Sequence, residues 1–487
     1  MTAIDRPYRA LKTLFLQAPS FDGFDGGAGS RYQAKREVKS NWYPTWLAQP
    51  AALVPGSRLL DAPADELSIQ RSLDIASEYE LIIMHTSTPS FPTDAKFAEL
   101  LKQRNPNVLI GLVGAKTMVD PVGALNATLA LDFVCGEEFD FTCKEVADGR
   151  PLSDIRGLSY RGADAGIVHN PPRAMVENMD ELPFVAPVYK RDLTIENYFN
   201  GYLQHPYISF YTGRGCRSKC TFCLWPQTVG GHRYRVRSAE NVLAEVKWIK
   251  ENMPEIKEIM FDDDTFTDTS NLPRVEAIAR GMGELGITWS CNAKANVPYK
   301  TLKVMKDHGL RLLLVGYESG DDQILLNVKK GLRTDIARRF SDDCRKLGIL
   351  IHGTFILGLP GETTETIEKT IAFAKEINPH TIQVSLAAPY PGTTLHKQAV
   401  ENGWIEQNET VNLVNDRGVQ LATISYPHLS KDQIYHGVET FYRRFYLRPS
   451  KIWEIVREMM ASWDMTKRRL REGVEFFRFL RTRRDAA

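Results

Sequence analysis

Three thiols within eight residues carry the plainest chemistry in this chain. The segment Gly213-Arg-Gly-Cys216-Arg-Ser-Lys-Cys220-Thr-Phe-Cys223 spaces them as C-x3-C-x2-C, close enough for three thiolates to meet on one centre. An iron–sulfur cube normally takes four cysteine ligands. A loop that supplies three leaves one iron open, and a small amino acid can chelate it through amine and carboxylate. Gly213 and Gly215 allow close approach of the backbone, and peptide N–H groups there stabilise cluster sulfides. The other reading is a zinc site completed by His232 or Cys291, although no second CxxC or HxxxH partner stands at the usual spacing. The chain has 7 cysteines, an odd number, which argues for a metal site in a reducing compartment and against a secreted disulfide framework.

The elements that must position these thiols read as two βα series. Leu11 to Gln17, Ser57 to Asp61, Glu80 to His85, Val108 to Gly114 and Phe133 to Gly136 are short apolar runs. Helix-compatible stretches, Asp65 to Glu78 and Thr93 to Gln103, separate some of them, so residues 1–150 predict a Rossmann-like domain with a parallel sheet covered on both faces. Residues 151–204, with Pro171-Pro172, Pro183 and Pro187, read as a connecting segment. Over 205–400, strands are predicted at Tyr207 to Tyr211, Glu258 to Phe261, Thr288 to Asn292, Leu312 to Val315, Ile351 to Leu357 and Thr381 to Leu386, with helices such as Ala239 to Glu251 and Asp335 to Leu347 between them. Six βα units make a partial, open barrel, short of the eight in a closed one. Residues 401–487 predict a helical region that ends in a basic, Phe-bearing tail.

Ligands in a parallel barrel sit at the C-terminal strand ends, and polar motifs fall there. Phe261-Asp-Asp-Asp264-Thr-Phe266 follows the second strand, as acceptors for an ammonium or as an acidic turn capping the next helix. Cys291-Asn-Ala-Lys294 ends the third. Gly316-Tyr-Glu318-Ser319-Gly320 follows the fourth, where the carboxylate is a ligand or a helix-start charge. Gly353-Thr-Phe-Ile356-Leu-Gly358 and Tyr390-Pro-Gly-Thr393 close the series.

This ordered set resembles the radical S-adenosylmethionine (SAM) superfamily, whose signature is C-x3-C-x2-C with an aromatic, here Phe222, before the last cysteine. The resemblance implies a [4Fe–4S] cluster on Cys216, Cys220 and Cys223 and SAM on its open iron. Asp263 and Asp264 would hold the amino group of SAM, Lys294 its carboxylate, Glu318 and Ser319 the ribose, and Ile356 and Gly358 the adenine. Tyr390, Thr393 and His232 would lie beside substrate or SAM. A Rossmann-like domain before the barrel resembles the cobalamin-binding-domain class, with Tyr43-Pro-Thr-Trp46, Leu60-Asp61-Ala62 and Gly136-Glu137 in support. The chain has no D-x-H-x-x-G motif, and Val113-Gly-Ala-Lys116 replaces a Gly-Gly-x-His-like loop. Two alternatives stay open: cobalamin bound base-off without a protein ligand, or a retained fold without it.

Over its full length, Tyr442-Arg-Arg-Phe-Tyr-Leu-Arg-Pro449 and the tail included, the chain is similar to hopanoid-biosynthesis radical SAM proteins. That resemblance implies contraction of the glucosamine ring of a hopanoid glycolipid, with flavodoxin or ferredoxin as reductant. A cobalamin-dependent methyltransferase and a non-catalytic metal-stabilised lipid-binding protein are the rivals. The tail, with Phe476, Phe477 and Phe479 among arginines, either lies on an anionic membrane surface or docks on the barrel. A net charge of +1, from 61 basic and 60 acidic residues, gives no reason to expect nucleic acid. The polar N-terminus and the lack of a long apolar run predict a cytoplasmic protein, peripheral to the membrane if it meets one.

Overall fold

The structure is a computed structural model that describes residues 9–19, 21, 38, 40–405, 413–415, 418–460 and 463–484. Its first sheet is built from short apolar strands. β1 (Thr13–Gln17), β2 (Arg58–Asp61), β3 (Leu81–His85), β4 (Leu109–Val113) and β5 (Phe133–Cys135) pair in parallel in the order β2-β1-β3-β4-β5. β1, β3, β4 and β5 are buried along their whole length, as strands covered on both faces must be. Phe15, Leu59 and Ile83 feed one core, while Leu14, Leu60 and Ile82 feed the other.

The segment expected as a connector does more than connect. β6 (Leu158–Arg161) and β7 (Ile167–His169) extend the first sheet, β6 antiparallel to β5 and β7 antiparallel to β6. β6 alternates buried and half-buried residues, so its apolar content is half that of a two-sided strand, and the pattern escaped notice. Ala186–Asp192 then forms a helix.

β8 (Tyr207–Phe210) opens the second sheet. A small hairpin follows, β9 (Gly213–Arg214) against β10 (Arg235–Val236). β11 (Glu258–Phe261), β12 (Trp289–Ala293), β13 (Leu310–Glu318), β14 (Leu350–Leu357) and β15 (Thr381–Leu386) complete a six-stranded parallel sheet in simple chain order, with β8 and β15 at its edges. This is the expected partial barrel, although β13 runs three residues further than expected and carries Glu318 within the strand.

Three helices end the described chain, Lys431–Tyr446, Pro449–Met459 and Trp463–Arg484. The first starts at a capping box of Ser430 and Gln433 and buries Ile434, Val438, Phe441 and Phe445 at helical spacing; Val384 N–H of β15 donates to Tyr442 Oη at 2.8 Å. The basic helix docks: Phe476 packs against Tyr442 and Tyr446, and Arg469 pairs with Glu458 and Glu472. Phe479 is buried and Phe477 is 60% exposed, so the three phenylalanines do not form one outward face. Among the described residues no helix is long and apolar enough to cross a membrane.

Candidate active site

The hairpin β9–β10 closes the loop that carries the thiols. Cys216 and Cys220 are buried, Cys223 is half-buried, and all three line one cavity of about 370 Å³ together with Phe222. Gly215 has φ +84°, and a Cβ there would meet the carbonyl oxygen of Arg233 at 2.2 Å. The returning limb of the loop therefore demands this glycine, which the sequence reading had assigned to cluster approach. Asp264 holds the same turn, accepting from Gly215 N–H at 3.1 Å. Gln227 does the most: its amide donates to the carbonyls of Cys220 (3.2 Å), Thr221 (3.1 Å) and Cys223 (2.8 Å). Its own oxygen accepts from Thr394 N–H at 2.8 Å and Thr394 Oγ1 at 2.7 Å.

A cluster fits this loop better than zinc does. A cube spreads its ligands over different irons, whereas zinc needs four donors at one point. Among the described residues no three His, Cys, Asp or Glu side chains close on a single ion. His232 is exposed, with Nδ1 at Ser218 O, and Cys291 is fully buried in β12, off the cavity wall. Burial pushes the Cys220 thiol up, and Lys330 pulls it down.

The first sheet grips this hairpin from behind. Glu138 accepts from both terminal nitrogens of Arg235 at 2.7 Å, and Asp140 from Arg214 at 2.5 and 3.1 Å. All four side chains are at most 3% exposed. Burial opposes the charge of Glu138, yet Arg235 and Arg214 hold its carboxyl below the usual range; burial likewise opposes Arg214, which Asp140 raises. Trp46 stacks on Trp225 at 5.4 Å and on Arg214 at 5.2 Å. Trp225 in turn lines the cavity, as do Trp42 and Tyr202.

The opposite wall comes from the C-terminal strand ends. Leu314, Gly316, Thr354, Ile356 and Ser385 face a hollow interior and stay half-exposed while their neighbours are buried. Asp264, Lys294, Glu318 and Tyr390 also line the cavity. Glu318 has φ +64° at a register shift between β13 and β14, and it accepts from Lys330 Nζ at 2.6 Å. A Cβ at Gly316 would strike Glu318 Oε1 at 2.3 Å and Lys330 Nζ at 2.8 Å, so the glycine makes room for this pair. Burial works against the Lys330 charge, but Glu318 and Cys220 raise it above the ordinary lysine range. Thr265 Oγ1 and Asn296 Oδ1 are buried without partners in this cavity, which suits a polar ligand such as the amino-acid end of SAM.

Five expected residues are placed elsewhere. Asp263 is spent inside the fold, accepting from Thr212 N–H (2.6 Å), Thr212 Oγ1 (2.7 Å) and Tyr234 Oη (2.6 Å). Ser319 faces Thr370 at 3.2 Å. Gly358 approaches Ile434 of a C-terminal helix, where a Cβ would come within 2.9 Å, so it serves packing there. Thr393 caps the helix Thr394–Glu401. His232 stays outside. The sequence reading in turn missed Lys330, Gln227, Thr265 and Asn296; the only signal for Lys330 was the need to balance Glu318.

Polar groups also gather at the C-terminal edge of the first sheet, where open α/β sheets bind ligands. Gly114 has φ +126°, and a Cβ there would meet Thr86 O at 2.3 Å and His85 Nε2 at 3.3 Å. His85 Nε2 and Glu137 Oε2 are buried without partners, and burial pushes the His85 imidazole down to about 4. Gly114 is thus required by the close approach of Thr86, and the two orphaned polar atoms suit an amide-rich cofactor such as cobalamin.

Residues 210–374 match the family model of the radical SAM superfamily. An uncharacterised methyltransferase of Pyrococcus horikoshii is 32% identical over 85% of this chain and 90% of its own length. A hopanoid C-3 methylase of Methylococcus capsulatus is 30% identical over 54% of this chain and 53% of its own. In fold, the chain is similar to the radical SAM methyltransferase TsrM from Kitasatospora setae, a structure with cobalamin and a [4Fe–4S] cluster bound: TM-score 0.69, 14% identity, 98% of this chain and 100% of that one.

Proposed function

Because this chain belongs to the radical SAM superfamily, with a [4Fe–4S] cluster and SAM as its cofactors, we propose that it is a cobalamin-dependent methyltransferase. When bound, cluster and SAM supply a 5′-deoxyadenosyl radical on reduction, and cobalamin supplies a methyl carrier. One observation carries the reading. The first sheet grips the thiol-bearing hairpin through Glu138 and Asp140, and Trp42 and Tyr202 share a cavity with the cysteines. The domain that would carry the cofactor is therefore fixed against the radical site. Cys216, Cys220 and Cys223 would hold three of the irons; Lys330 and Glu318 would present paired charges to the hydroxyls and carboxylate of SAM; Thr265 and Asn296 would offer an acceptor-rich end for its ammonium. The rings of Trp42, Tyr202 and Phe222 exclude water.

The test is anaerobic reconstitution with hydroxocobalamin, SAM bearing a deuterated methyl group, and a reductant such as flavodoxin or ferredoxin. Retained cobalamin and label in a product are expected; iron-loaded protein that keeps no cobalamin would remove this reading.

A second reading is ring contraction of glucosaminyl bacteriohopanetetrol, as a bacteriohopanetetrol cyclitol ether synthase. The Tyr442–Pro449 segment and the similarity to a hopanoid methylase favour it. A product of unchanged carbon count would select it over methyl transfer. Both readings suit a cytoplasmic protein, peripheral to the inner membrane face if it meets one. The non-catalytic alternative predicts no 5′-deoxyadenosine from the reduced, reconstituted protein.

A further inference from the structure

A second chamber lies at the other end of the barrel. It encloses about 310 Å³, within the ~300–1,000 Å³ common for small-molecule sites. Its walls come from the starts of β14, through His352, and β15, through Thr381 and Ile382, and from the C-terminal helices, through Tyr442, Tyr446 and Phe476. Tyr202 and His352 line both this chamber and the cysteine cavity. Their rings stack at 4.2 Å and form a thin partition between the two.

Two features point to an occupant. Asn200 is 1% exposed and lines the chamber, yet neither its amide nitrogen nor its oxygen has a partner. Arg469 and Glu472, the charged groups on the chamber wall, are paired with each other and leave the amide of Asn200 unsatisfied, which is costly; a ligand hydroxyl or carbonyl would satisfy it. The chamber also reaches the surface through Ile452, Val456 and Phe477, which line it and remain 45%, 37% and 60% exposed. Large apolar side chains on a mouth of this kind mark a binding groove.

We propose that this chamber binds the apolar body of the substrate, a lipid whose hydroxyl or carbonyl pairs with Asn200, and that Tyr202 and His352 are the partition its reactive end passes to reach the cluster. The lipid enters from the C-terminal helices, opposite the hairpin that carries the thiols. This deepens the proposed function by naming a substrate class, and rests on that reading only for what happens beyond the partition.

The test uses full-length, cluster-loaded protein without SAM, with radiolabelled dodecan-1-ol and dodecane carried in cyclodextrin and binding read by equilibrium dialysis. The alcohol should bind at least about tenfold tighter than the alkane, since a site built around a hydrogen bond rejects the analogue that lacks it. Asn200→Leu should abolish that preference. Gly473 lines the chamber and a Cβ there would meet nothing within 4 Å, so Gly473→Phe should fill the space and abolish binding of both probes; iron content and circular dichroism equal to the parent verify folding. Parent protein that binds neither probe, an unchanged preference in Asn200→Leu, or unchanged binding in folded Gly473→Phe would each overturn the proposal. No SAM is present, so failed methyl transfer and failed lipid binding are read separately.

Discussion

At the scale of single residues, spacing revealed the thiols but could not separate Asp263 from Asp264. Adjacent residues at a strand end point opposite ways, so one enters the cavity while its neighbour is consumed by Thr212 and Tyr234. Lys330 went unseen because its partner Glu318 is twelve residues away, across the short helix Asp322–Asn327. Truncation of the lysine leaves a buried carboxylate alone, so Lys330→Met should weaken SAM binding by about tenfold or more, roughly 1.4 kcal/mol, with iron content retained. Calorimetric titration checks it, and parental affinity would remove Lys330 from the site. Cys→Ala at any of the three thiols should abolish reductive cleavage of SAM; one active variant would refute the cluster assignment.

Glu362 gives a pH prediction at the same scale. It is fully buried, and burial pushes its carboxyl from 4.5 up to about 8, against hydrogen bonds from Gly358 and Leu359. The folded state then keeps a proton that the unfolded chain releases. Its contribution is complete below about pH 4.5, declines as pH rises, and is gone above about 8. Glu362→Gln should flatten that decline in urea midpoints taken from pH 5 to 9. An unchanged slope would show that Glu362 ionises normally.

Elements were easier to read than their junctions. Two-sided apolar runs announced the parallel strands of both sheets. The weaker alternation of β6 hid the antiparallel extension, and the aromatic, arginine-rich helix Lys431–Tyr446 lies in the region expected to be helical, although the sequence set no bounds for it. The junction between first sheet and hairpin rests on ion pairs between residues 74 and 97 positions apart, beyond the reach of any local pattern. Removing one partner of a buried pair costs about 3–5 kcal/mol. Glu138→Ala should therefore lower stability by about that amount and loosen the floor of the cysteine loop, detected as faster iron loss to a chelator. Loss of iron at the parental rate would mean that the grip does not reach the thiols.

Across the whole molecule, one apolar core runs from Leu11 through both sheets to Leu480. Sequence could outline two βα series; it could not show that they share an interior, because that depends on which faces meet. Units joined in this way should unfold together. Urea denaturation followed by tryptophan fluorescence and by far-ultraviolet dichroism should give coincident transitions, and separated midpoints would show independent domains.

The open edge of the second sheet has one more consequence. β8 and β15 do not pair, and the gap is spanned where Gln227 reaches Thr394 and Leu395 N–H meets Thr221 O at 2.8 Å. The thiol loop thus acts as the keystone of an unfinished arch. When oxygen strips the metal, the stones on either side should slacken together, and residues 388–394 should become the first place a protease cuts. Damage to the cofactor would mark the polypeptide for removal.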